Sequence, residues 1–369
     1  MKKVLFVLGT RPEAIKLAPL IKACALHPQF DCRVCLTAQH REMLDQVIDF
    51  FGIQVDYDLN LMQNNQSLLQ LMSKATDELE KVIEDYPADV VVVQGDTSTV
   101  LVGALVGFYK RTKIAHIEAG LRSFDKNLPF PEEMNRLLTS QLADFHFAPT
   151  QKAFDNLTQE GFKENLYMVG NTVIDALNEA VLKVEQDEDH YQKHFSQIDF
   201  SKKVILVTCH RRESFGKPFE EICKALLHIA DSNSQVEIVY PVHLNPNVKL
   251  VAERMLVRDN IKLIQPLSYP YLVWLMNKSH IILTDSGGIQ EEAPTLGKPV
   301  LVMRDVTERM EGVESGTAKL VGTSKSKIIS EVEKLLSHPK EYEAMSKANN
   351  PYGDGTSSNL IMDVLAEKL

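Results

Sequence analysis

Three shortages in the sequence each exclude a class of protein. Five cysteines among 369 residues are few and odd in number, so no disulfide framework is expected and stability must come from an apolar core. No apolar run reaches the length of a membrane span, and the strand-like start at residues 4–8 is too short for a signal peptide. We therefore expect a cytoplasmic protein that does not bind a membrane.

The sequence also has no excess of basic residues. Its formal net charge of -10 argues against nucleic acid as a partner, because nucleic-acid-binding proteins usually present a basic surface. An apolar fraction of 44% with 24% charged residues is typical of a globular chain with an ample core. The length suggests about two domains.

Sequence signals for a cofactor or a metal are missing as well. After the first predicted strand the chain continues Gly9-Thr10-Arg11 without the G-x-G-x-x-G fingerprint of a dinucleotide site. His190 and His194 have the spacing of metal ligands on a helix, but their neighbours are those of a solvated polar helix. We expect neither a bound cofactor nor a metal.

Apolar strands and helices alternate along both halves of the chain. Short, fully apolar strands in such an alternation are typical of a parallel sheet that helices cover on both faces. Two successive series predict an α/β protein with two doubly wound, Rossmann-like domains. The predicted strands are residues 4–8, 31–37, 90–94, 114–117, 145–148 and 166–169 in the first series, and 204–208, 236–240, 262–264, 281–284 and 300–303 in the second.

The boundary between the two predicted domains lies near residue 170. The first domain then covers residues 1–170 and the second residues 171–355, while residues 356–369 form an amphipathic helix that we expect to pack back on the first domain. Ligands of such sheets bind outside the carboxyl ends of the strands. Two such sheets, one in each predicted domain, therefore predict an active site in the interdomain cleft.

The stretch of residues 281–304 carries a binding signal. Its Ser-Gly-Gly turn (residues 286–288) joins a strand to a helix, where backbone N–H groups and the positive end of the helix favour a phosphate or pyrophosphate. Glu292 follows the turn by about one helical turn and is placed to accept hydrogen bonds from a ribose diol. The alternative is a tight turn followed by an acid that only complements the helix dipole.

Charged residues also follow the strands of the first predicted domain. Arg11 and Lys16 follow the first strand, Asp96 follows residues 90–94, and Glu118 follows residues 114–117. Asp96 could instead cap a helix, and Lys16 could be a surface lysine. No capping role explains Glu118, which enters a loop directly from a buried strand.

Further charged residues complete the pattern. Glu132 and Glu133 open a later helix, where one of them could only complement the dipole. His210 and Arg211 follow the first strand of the second domain, and His243 follows the next. Carboxylates on one domain and phosphate-binding groups on the other indicate acid/base chemistry on a nucleotide-linked substrate.

These segments together resemble the non-hydrolysing UDP-N-acetylglucosamine 2-epimerases. The resemblance runs in order from residue 9 to residue 309, so it covers most of the chain. Each segment alone is weak evidence, whereas eight in register are specific. The matching segments are GTRPEAIKLAPL, TAQHREMLDQV, QGDTSTV, HIEAGLRS, PFPEEMNR, TCHRRESFG, YPVHLNP and TDSGGIQEEAPTLGKPVLVMR.

The resemblance implies the two-Rossmann fold of one large class of glycosyltransferases (GT-B type). It also implies interconversion of UDP-N-acetylglucosamine (UDP-GlcNAc) and UDP-N-acetylmannosamine (UDP-ManNAc) for cell-surface polysaccharide synthesis, usually by a homodimer. The ligands would be these two sugars and UDP. By position, the resemblance assigns Asp96, Glu118, Glu132 and His210 to catalysis, Arg11, Lys16, Arg136, Ser286, Gly287, Gly288, Glu292 and Arg309 to substrate binding, and Gln39, Arg211 and His243 to an activating second UDP-GlcNAc.

The chemistry explains why acids and anion-binding groups are both needed. The hydrogen to be inverted is a very poor acid, and a general base supplies only about 3 to 5 of the roughly 8 to 23 kcal/mol that enzymes provide. Departure of UDP from the neighbouring carbon makes that hydrogen easier to remove. We therefore expect elimination to 2-acetamidoglucal and re-addition, with Asp96 and Glu132 as candidate base and acid and Glu118 as a second proton carrier or cation stabiliser.

Other functions remain as alternatives. A glycosyltransferase of the same fold would use the Ser-Gly-Gly turn but would not need three clustered acids. Hydrolysing 2-epimerases usually carry His-Gly-Gly where this chain has Glu118-Ala119-Gly120. A two-lobed solute-binding protein would normally be exported, and an NAD-dependent epimerase would need the missing fingerprint.

Overall fold

The computed structural model describes residues 1–37, 41–62 and 66–369, without the side chains of residues 41 and 42. The described chain forms two compact units. The first unit comprises Met1–Asn178 with Tyr352–Leu369, and the second comprises Glu179–Pro351. Within the described ranges, no helix combines the length and the apolar character needed to cross a membrane.

The first unit is a parallel sheet with helices. Its strands lie in the order β3-β2-β1-β4-β5-β6-β7, which begins with the 3-2-1-4 arrangement of a Rossmann sheet. The strands are β1 (Lys2–Leu8), β2 (Phe30–Leu36), β3 (Tyr57–Asp58), β4 (Val90–Gln94), β5 (Lys113–Ile117), β6 (Phe145–Ala148) and β7 (Leu166–Met168). The helices are α1 (Arg11–Leu26), α2 (Arg41–Phe51), α3 (Leu68–Asp85), α4 (Ser98–Tyr109), α5 (Glu132–Leu142), α6 (Gln151–Gln159) and the start of α7 (Thr172–Gln186).

The second unit repeats this construction. Its strands lie in the order β10-β9-β8-β11-β12-β13, again parallel. The strands are β8 (Lys203–Thr208), β9 (Val236–Pro241), β10 (Ile261–Ile264), β11 (Ile281–Thr284), β12 (Val300–Val302) and β13 (Ala318–Leu320). The helices are α8 (Glu188–His194), α9 (Lys217–Ser232), α10 (Pro246–Met255), α11 (Tyr269–Lys278), α12 (Gly287–Glu292), α13 (Met310–Glu314), α14 (Lys325–Ser337) and α15 (Pro339–Ser346); α16 (Ser357–Lys368) belongs to the first unit.

The burial of the central strands explains the parallel architecture. Strands β4 and β11 are buried at every residue, because helices cover the sheet on both faces. Their sequences, VVVVQ and IILT, are accordingly continuous apolar runs rather than alternating ones. The predicted α/β class with two doubly wound sheets is confirmed.

The C-terminal helix α16 packs against α1 within the first unit. The buried Asp175, at the start of α7, accepts a hydrogen bond from the backbone N–H of Ser358, with 2.8 Å between nitrogen and Oδ1. Asn171 donates its backbone N–H to the carbonyl of Tyr352 at 2.7 Å. These bonds connect the end of the chain to the region that follows β7.

The turn after β5 depends on glycine at position 120. Gly120 has φ +92°, and a Cβ there would lie 2.2 Å from the carbonyl oxygen of Ala153. We expect Gly120→Ala to lower the free energy of unfolding by about 2 to 5 kcal/mol, because it adds a backbone clash to the strain of a positive φ. Chemical denaturation measures the change.

Gly161→Ala is the matched control for this prediction. Gly161 has a similar φ of +98°, but no non-adjacent atom of the described residues lies within 4 Å of the position of an added Cβ. It should cost only about 1 to 2 kcal/mol of backbone strain. Equal losses in the two variants would mean that the contact with Ala153 does not matter.

Candidate active site

The candidate site residues gather at the switch point of each sheet, where the strand order reverses. In the first unit this point lies between β1 and β4, and in the second between β8 and β11. Loops that leave neighbouring strands in opposite directions open a crevice there, which is the usual ligand site of this architecture. Arg11 and Asp96 follow the first pair of strands, and His210 and Ser286 follow the second.

Asp96 lies in the loop between β4 and α4. Its Oδ2 is 2.5 Å from Nη2 of Arg136, and its side chain is 28% exposed. Burial raises the pKa of Asp96, Arg136 opposes this shift, and the negative charge of Glu118 adds to it. Asp96 does not cap α4, because the cap is Thr97, whose hydroxyl accepts from the N–H of Val100. The capping alternative is therefore wrong.

Glu118 directly follows β5, and its carboxylate is held by several donors. Its backbone has φ +62°, outside the conformations usual for a side-chain-bearing residue. Lys16 Nζ lies 2.5 Å from Oε1, Asn171 donates its side-chain amide to the same oxygen at 3.2 Å, and Gln94 donates to Oε2. Lys16 is only 14% exposed, so it is not a surface lysine. The site pairs a partly buried cation with a buried carboxylate.

The two glutamates that open α5 have different environments. Glu133 is buried and accepts the backbone N–H groups of Ser123 and Phe124, both at 3.0 Å, while Arg136 Nη1 lies 3.1 Å away. Glu132 is partly exposed, and its carboxylate has no hydrogen bond or ion pair within the described residues. Glu133 therefore supports the loop structure, and Glu132 remains available for a ligand.

Arg136 lies between two carboxylates in the first unit. Its Nη2 binds Asp96 and its Nη1 binds Glu133, while its Nε is buried without a hydrogen-bond partner in the described chain. This placement lets Arg136 orient Asp96. Arg11, by contrast, begins α1, and its Nη1 lies 3.9 Å from the sulfur of Met43.

Glu13 is a site residue that the sequence analysis did not identify. Its buried carboxylate accepts the backbone N–H groups of Gly9 at 2.5 Å and Thr10 at 2.9 Å, and also the hydroxyl of Thr97. Burial raises the pKa of Glu13 to about 7, although these hydrogen bonds oppose the shift. The Thr10-x-x-Glu13 spacing of a capping box was the available signal. Glu13 joins the loop after β1 to the loop after β4.

In the second unit, the Ser-Gly-Gly turn is held against Arg309. A Cβ at Gly287 would lie 3.1 Å from Cζ of Arg309, so the guanidinium covers this glycine closely. Nε of Arg309 lies 2.9 Å from Oε1 of the buried Glu291, and Nη1 lies 2.8 Å from Oε2 of Glu308. The turn thus carries a cation beside the backbone of residues 286–288, as a phosphate site needs.

Glu292 lies at the end of α12 and is buried. The hydroxyl of the buried Tyr269 donates to Oε1 at 2.7 Å, and Oε2 lies 3.7 Å from the position of a Cβ at Gly288. Burial and the negative charge of Glu292 raise the pKa of Tyr269, so the phenol stays a donor. One carboxylate oxygen is therefore held by the fold, and the other lies beside the turn.

His210 follows β8 and lies beside Asp285. Its backbone N–H and that of Arg211 both donate to Oδ2 of Asp285 at 2.7 Å, and its ring Nδ1 lies 3.3 Å from Oδ1. The ring stacks on His243 with 5.8 Å between centroids and 19° between planes. The side chain of His210 is 42% exposed, so a ligand can reach it.

The predicted residues thus form two groups, each within its own unit. The first contains the contacting pairs Lys16–Glu118 and Asp96–Arg136, with Glu132 as the first residue of α5. The second contains His210, the Ser-Gly-Gly turn, Glu292 and Arg309. Gln39 lies outside the described residues, whereas Arg211 and His243 contact Asp285 and His210 as described above. Among the described residues, no group of three or more His, Cys, Asp or Glu side chains could hold a metal ion.

Comparisons with known proteins agree over nearly the whole chain. A family described as UDP-N-acetylglucosamine 2-epimerase matches residues 22–366. The chain is 52% identical over 368 residues to the UDP-N-acetylglucosamine 2-epimerase of Escherichia coli K12, with 98% of each chain covered.

Two solved structures extend this similarity to three dimensions. The UDP-GlcNAc 2-epimerase of Neisseria meningitidis bound to UDP-GlcNAc is 46% identical, with a TM-score of 0.91 over 99% of this chain and 100% of that chain. The Methanocaldococcus jannaschii UDP-GlcNAc 2-epimerase in complex with UDP-GlcNAc and UDP is 36% identical, with a TM-score of 0.80 over 99% of both chains.

Proposed function

Because the chain belongs to the UDP-N-acetylglucosamine 2-epimerase family, we propose that it interconverts UDP-GlcNAc and UDP-ManNAc by the non-hydrolysing route. The observation that carries this proposal is Asp96, a partly exposed acid at a sheet switch point whose pKa is raised by burial and which no helix cap requires. Such an acid can exchange a proton with a bound sugar.

Leaving-group stabilisation is assigned to the second unit. The backbone N–H groups of the Ser-Gly-Gly turn, Arg309 and His210 would meet the charge that grows on the pyrophosphate as UDP departs. Glu292, with one oxygen held by Tyr269, would bind the ribose diol through the other. These groups fix the nucleotide while the sugar reacts.

Proton transfer is assigned to the first unit. Asp96 and Glu132 are the candidate base and acid, since one has a raised pKa and the other is not engaged by the fold within the described residues. Glu118 is tied to Lys16, Gln94 and Asn171, which suits an anion that stabilises positive charge better than a group that must release and regain a proton. UDP elimination then gives 2-acetamidoglucal, and re-addition gives the epimer.

Deuterium incorporation tests this route. In deuterium oxide, we expect the epimerised UDP-sugar to carry one deuterium at the carbon bearing the acetamido group, because the proton removed there exchanges with solvent. Proton NMR of UDP-GlcNAc with the purified protein measures both epimerisation and the label, and a sample without protein is the control. Product without deuterium at that carbon would contradict the scheme.

A glycosyltransferase of the same fold is the second candidate, supported by the Ser-Gly-Gly turn with its adjacent Arg309. The same NMR experiment separates the two functions, because a transferase without an acceptor should leave the stereochemistry of the sugar unchanged. Assembly as a homodimer, and binding of a second UDP-GlcNAc at Gln39, Arg211 and His243, remain proposals that rest on family membership.

A further inference from the structure

We propose that Asp285 is a positioning residue for His210: it keeps a proton on ring Nδ1 and so makes His210 a cationic Nε2–H donor at the anion-binding turn. The proposal rests on the proposed function, in which His210 meets the departing pyrophosphate. Asp285 itself does not need to touch the substrate, because it acts through the imidazole.

The carboxylate of Asp285 is fixed from one side. Its side chain is fully buried, and Oδ2 accepts two backbone N–H groups, from His210 and Arg211, each at 2.7 Å. These bonds define the plane and the rotation of the carboxylate. Oδ1 therefore cannot turn away from the ring of His210.

The second oxygen of Asp285 faces the ring of His210, and the buried thiol of Cys209 is another polar group beside the same carboxylate. Oδ1 is buried and has no hydrogen-bond partner in the part of the chain that the structure describes, and ring Nδ1 of His210 lies 3.3 Å from it. An ionised carboxylate only accepts hydrogen bonds, so a favourable contact needs hydrogen on Nδ1. The group that one ring nitrogen faces decides which nitrogen holds a proton, and a proton held on Nδ1 makes Nε2 the nitrogen that would meet the ligand.

Asp285 also links two loops of the switch point. It lies directly before the Ser-Gly-Gly turn, and its backbone N–H donates to the carbonyl of Thr208 at the end of β8, at 3.0 Å. A neutral imidazole with hydrogen on Nδ1 would present a lone pair to a phosphate and repel it. An imidazolium beside Asp285 presents Nε2–H and a positive charge, which is the form that binds an anion.

Asp285→Asn isolates this contact with little change of shape. The amide oxygen must take the place of Oδ2, because only an oxygen accepts the two backbone N–H groups. The NH2 group then faces Nδ1 of His210 and excludes a proton there. The substitution should therefore remove the charge of the ring while the loop bonds remain.

Nitrogen-15 NMR of histidine-labelled protein with saturating UDP tests the ring directly. With His210→Asn to assign the signals, we expect both nitrogens of His210 to be protonated in the unaltered protein, and Nδ1 to become a pyridine-type nitrogen in Asp285→Asn. An unprotonated Nδ1 in the unaltered protein would overturn the proposal, and this result needs no variant of Asp285 to fold.

Turnover provides the second readout. We expect Asp285→Asn to lower kcat about 10- to 100-fold, the scale of one charge-assisted hydrogen bond, with a smaller change in KM. Asp285→Asn in a His210→Asn background should have almost no further effect. Independent, multiplying losses would contradict a role through His210.

Glu237→Gln is the matched control, since it is also a change from acid to amide at a buried carboxylate of this sheet. Glu237 lies on β9, paired with Lys202 at 3.5 Å and Lys262 at 3.7 Å. The Glu237→Gln variant should be less stable but should keep its kcat. A loss of kcat equal to that of Asp285→Asn would refute a specific role for Asp285. If the unaltered protein does not epimerise UDP-GlcNAc, the proposed function fails, whereas the NMR result still decides whether Asp285 protonates His210.

Discussion

Asp96→Asn is expected to lower kcat about 10²- to 10⁴-fold with little change in substrate affinity. The amide keeps the shape of the side chain and can still accept from Arg136, but it cannot take up or release a proton. Asp96 lies at the β4 end of the switch point, where burial and Glu118 raise its pKa. Steady-state kinetics by NMR, with UDP affinity measured by calorimetry, separates loss of chemistry from loss of binding.

Asp144→Asn is the control for this prediction. Asp144 precedes β6 at the opposite, amino end of the same sheet, where its Oδ2 accepts the backbone N–H of Ile114 at 2.8 Å. It should change stability slightly and leave kcat unchanged. Near-normal turnover in Asp96→Asn would remove Asp96 from the proton-transfer scheme.

The loops that carry the candidate site could be predicted from the sequence because they follow strands with a clear signal. The runs VVVVQ and IILT are apolar throughout, so the ends of β4 and β11 are visible, and Asp96 and Ser286 are found by position alone. The short edge strands β3, of two residues, and β13, of three, were missed. An edge strand of that length has too few residues to show a pattern.

The supporting carboxylates could not be predicted in the same way. Glu13 and Asp285 accept hydrogen bonds from backbone N–H groups or hydroxyls on loops that are distant in sequence. That these loops are neighbours can be recognised only when the strand order is known. Glu13 is 84 residues from Thr97, and Asp285 is 75 residues from His210. The spacing of Thr10 and Glu13 fits a capping box, which indicates a helix start and not a link to Thr97, and the sequence around Asp285 contains no corresponding signal. Residue type alone therefore does not distinguish a positioning acid from a catalytic one.

The two units provide acceptors for the backbone N–H groups at their switch points in the same way. At a switch point, two loops leave adjacent strands in opposite directions, and their unpaired backbone N–H groups need acceptors. In the first unit Glu13 supplies an acceptor between the loops after β1 and β4. In the second unit, Asp285 supplies an acceptor between the loops after β8 and β11. Each buried carboxylate thus stabilises the crevice in which the ligand-binding groups lie.

Glu118→Gln is expected to lower both stability and turnover. The carboxylate of Glu118 accepts from Lys16, Gln94 and Asn171, so the NH2 group of the variant's amide would face a donor. Lys16, whose side chain is only 14% exposed, would lose its counter-ion. Breaking a buried ion pair costs about 3 to 5 kcal/mol, and loss of the anion should lower kcat at least about 10²-fold. Thermal unfolding and NMR kinetics measure the two effects.

The double variant Lys16→Met with Glu118→Gln separates these effects. Removing both charges abolishes the uncompensated cation, so part of the lost stability should return, because an apolar replacement of a buried pair is often tolerated. Turnover should stay low, since the anion that would stabilise positive charge on the sugar is still missing. If the double variant recovered kcat together with stability, Glu118 would be a structural partner of Lys16 alone, and charge stabilisation would have to come from Asp96 or Glu132.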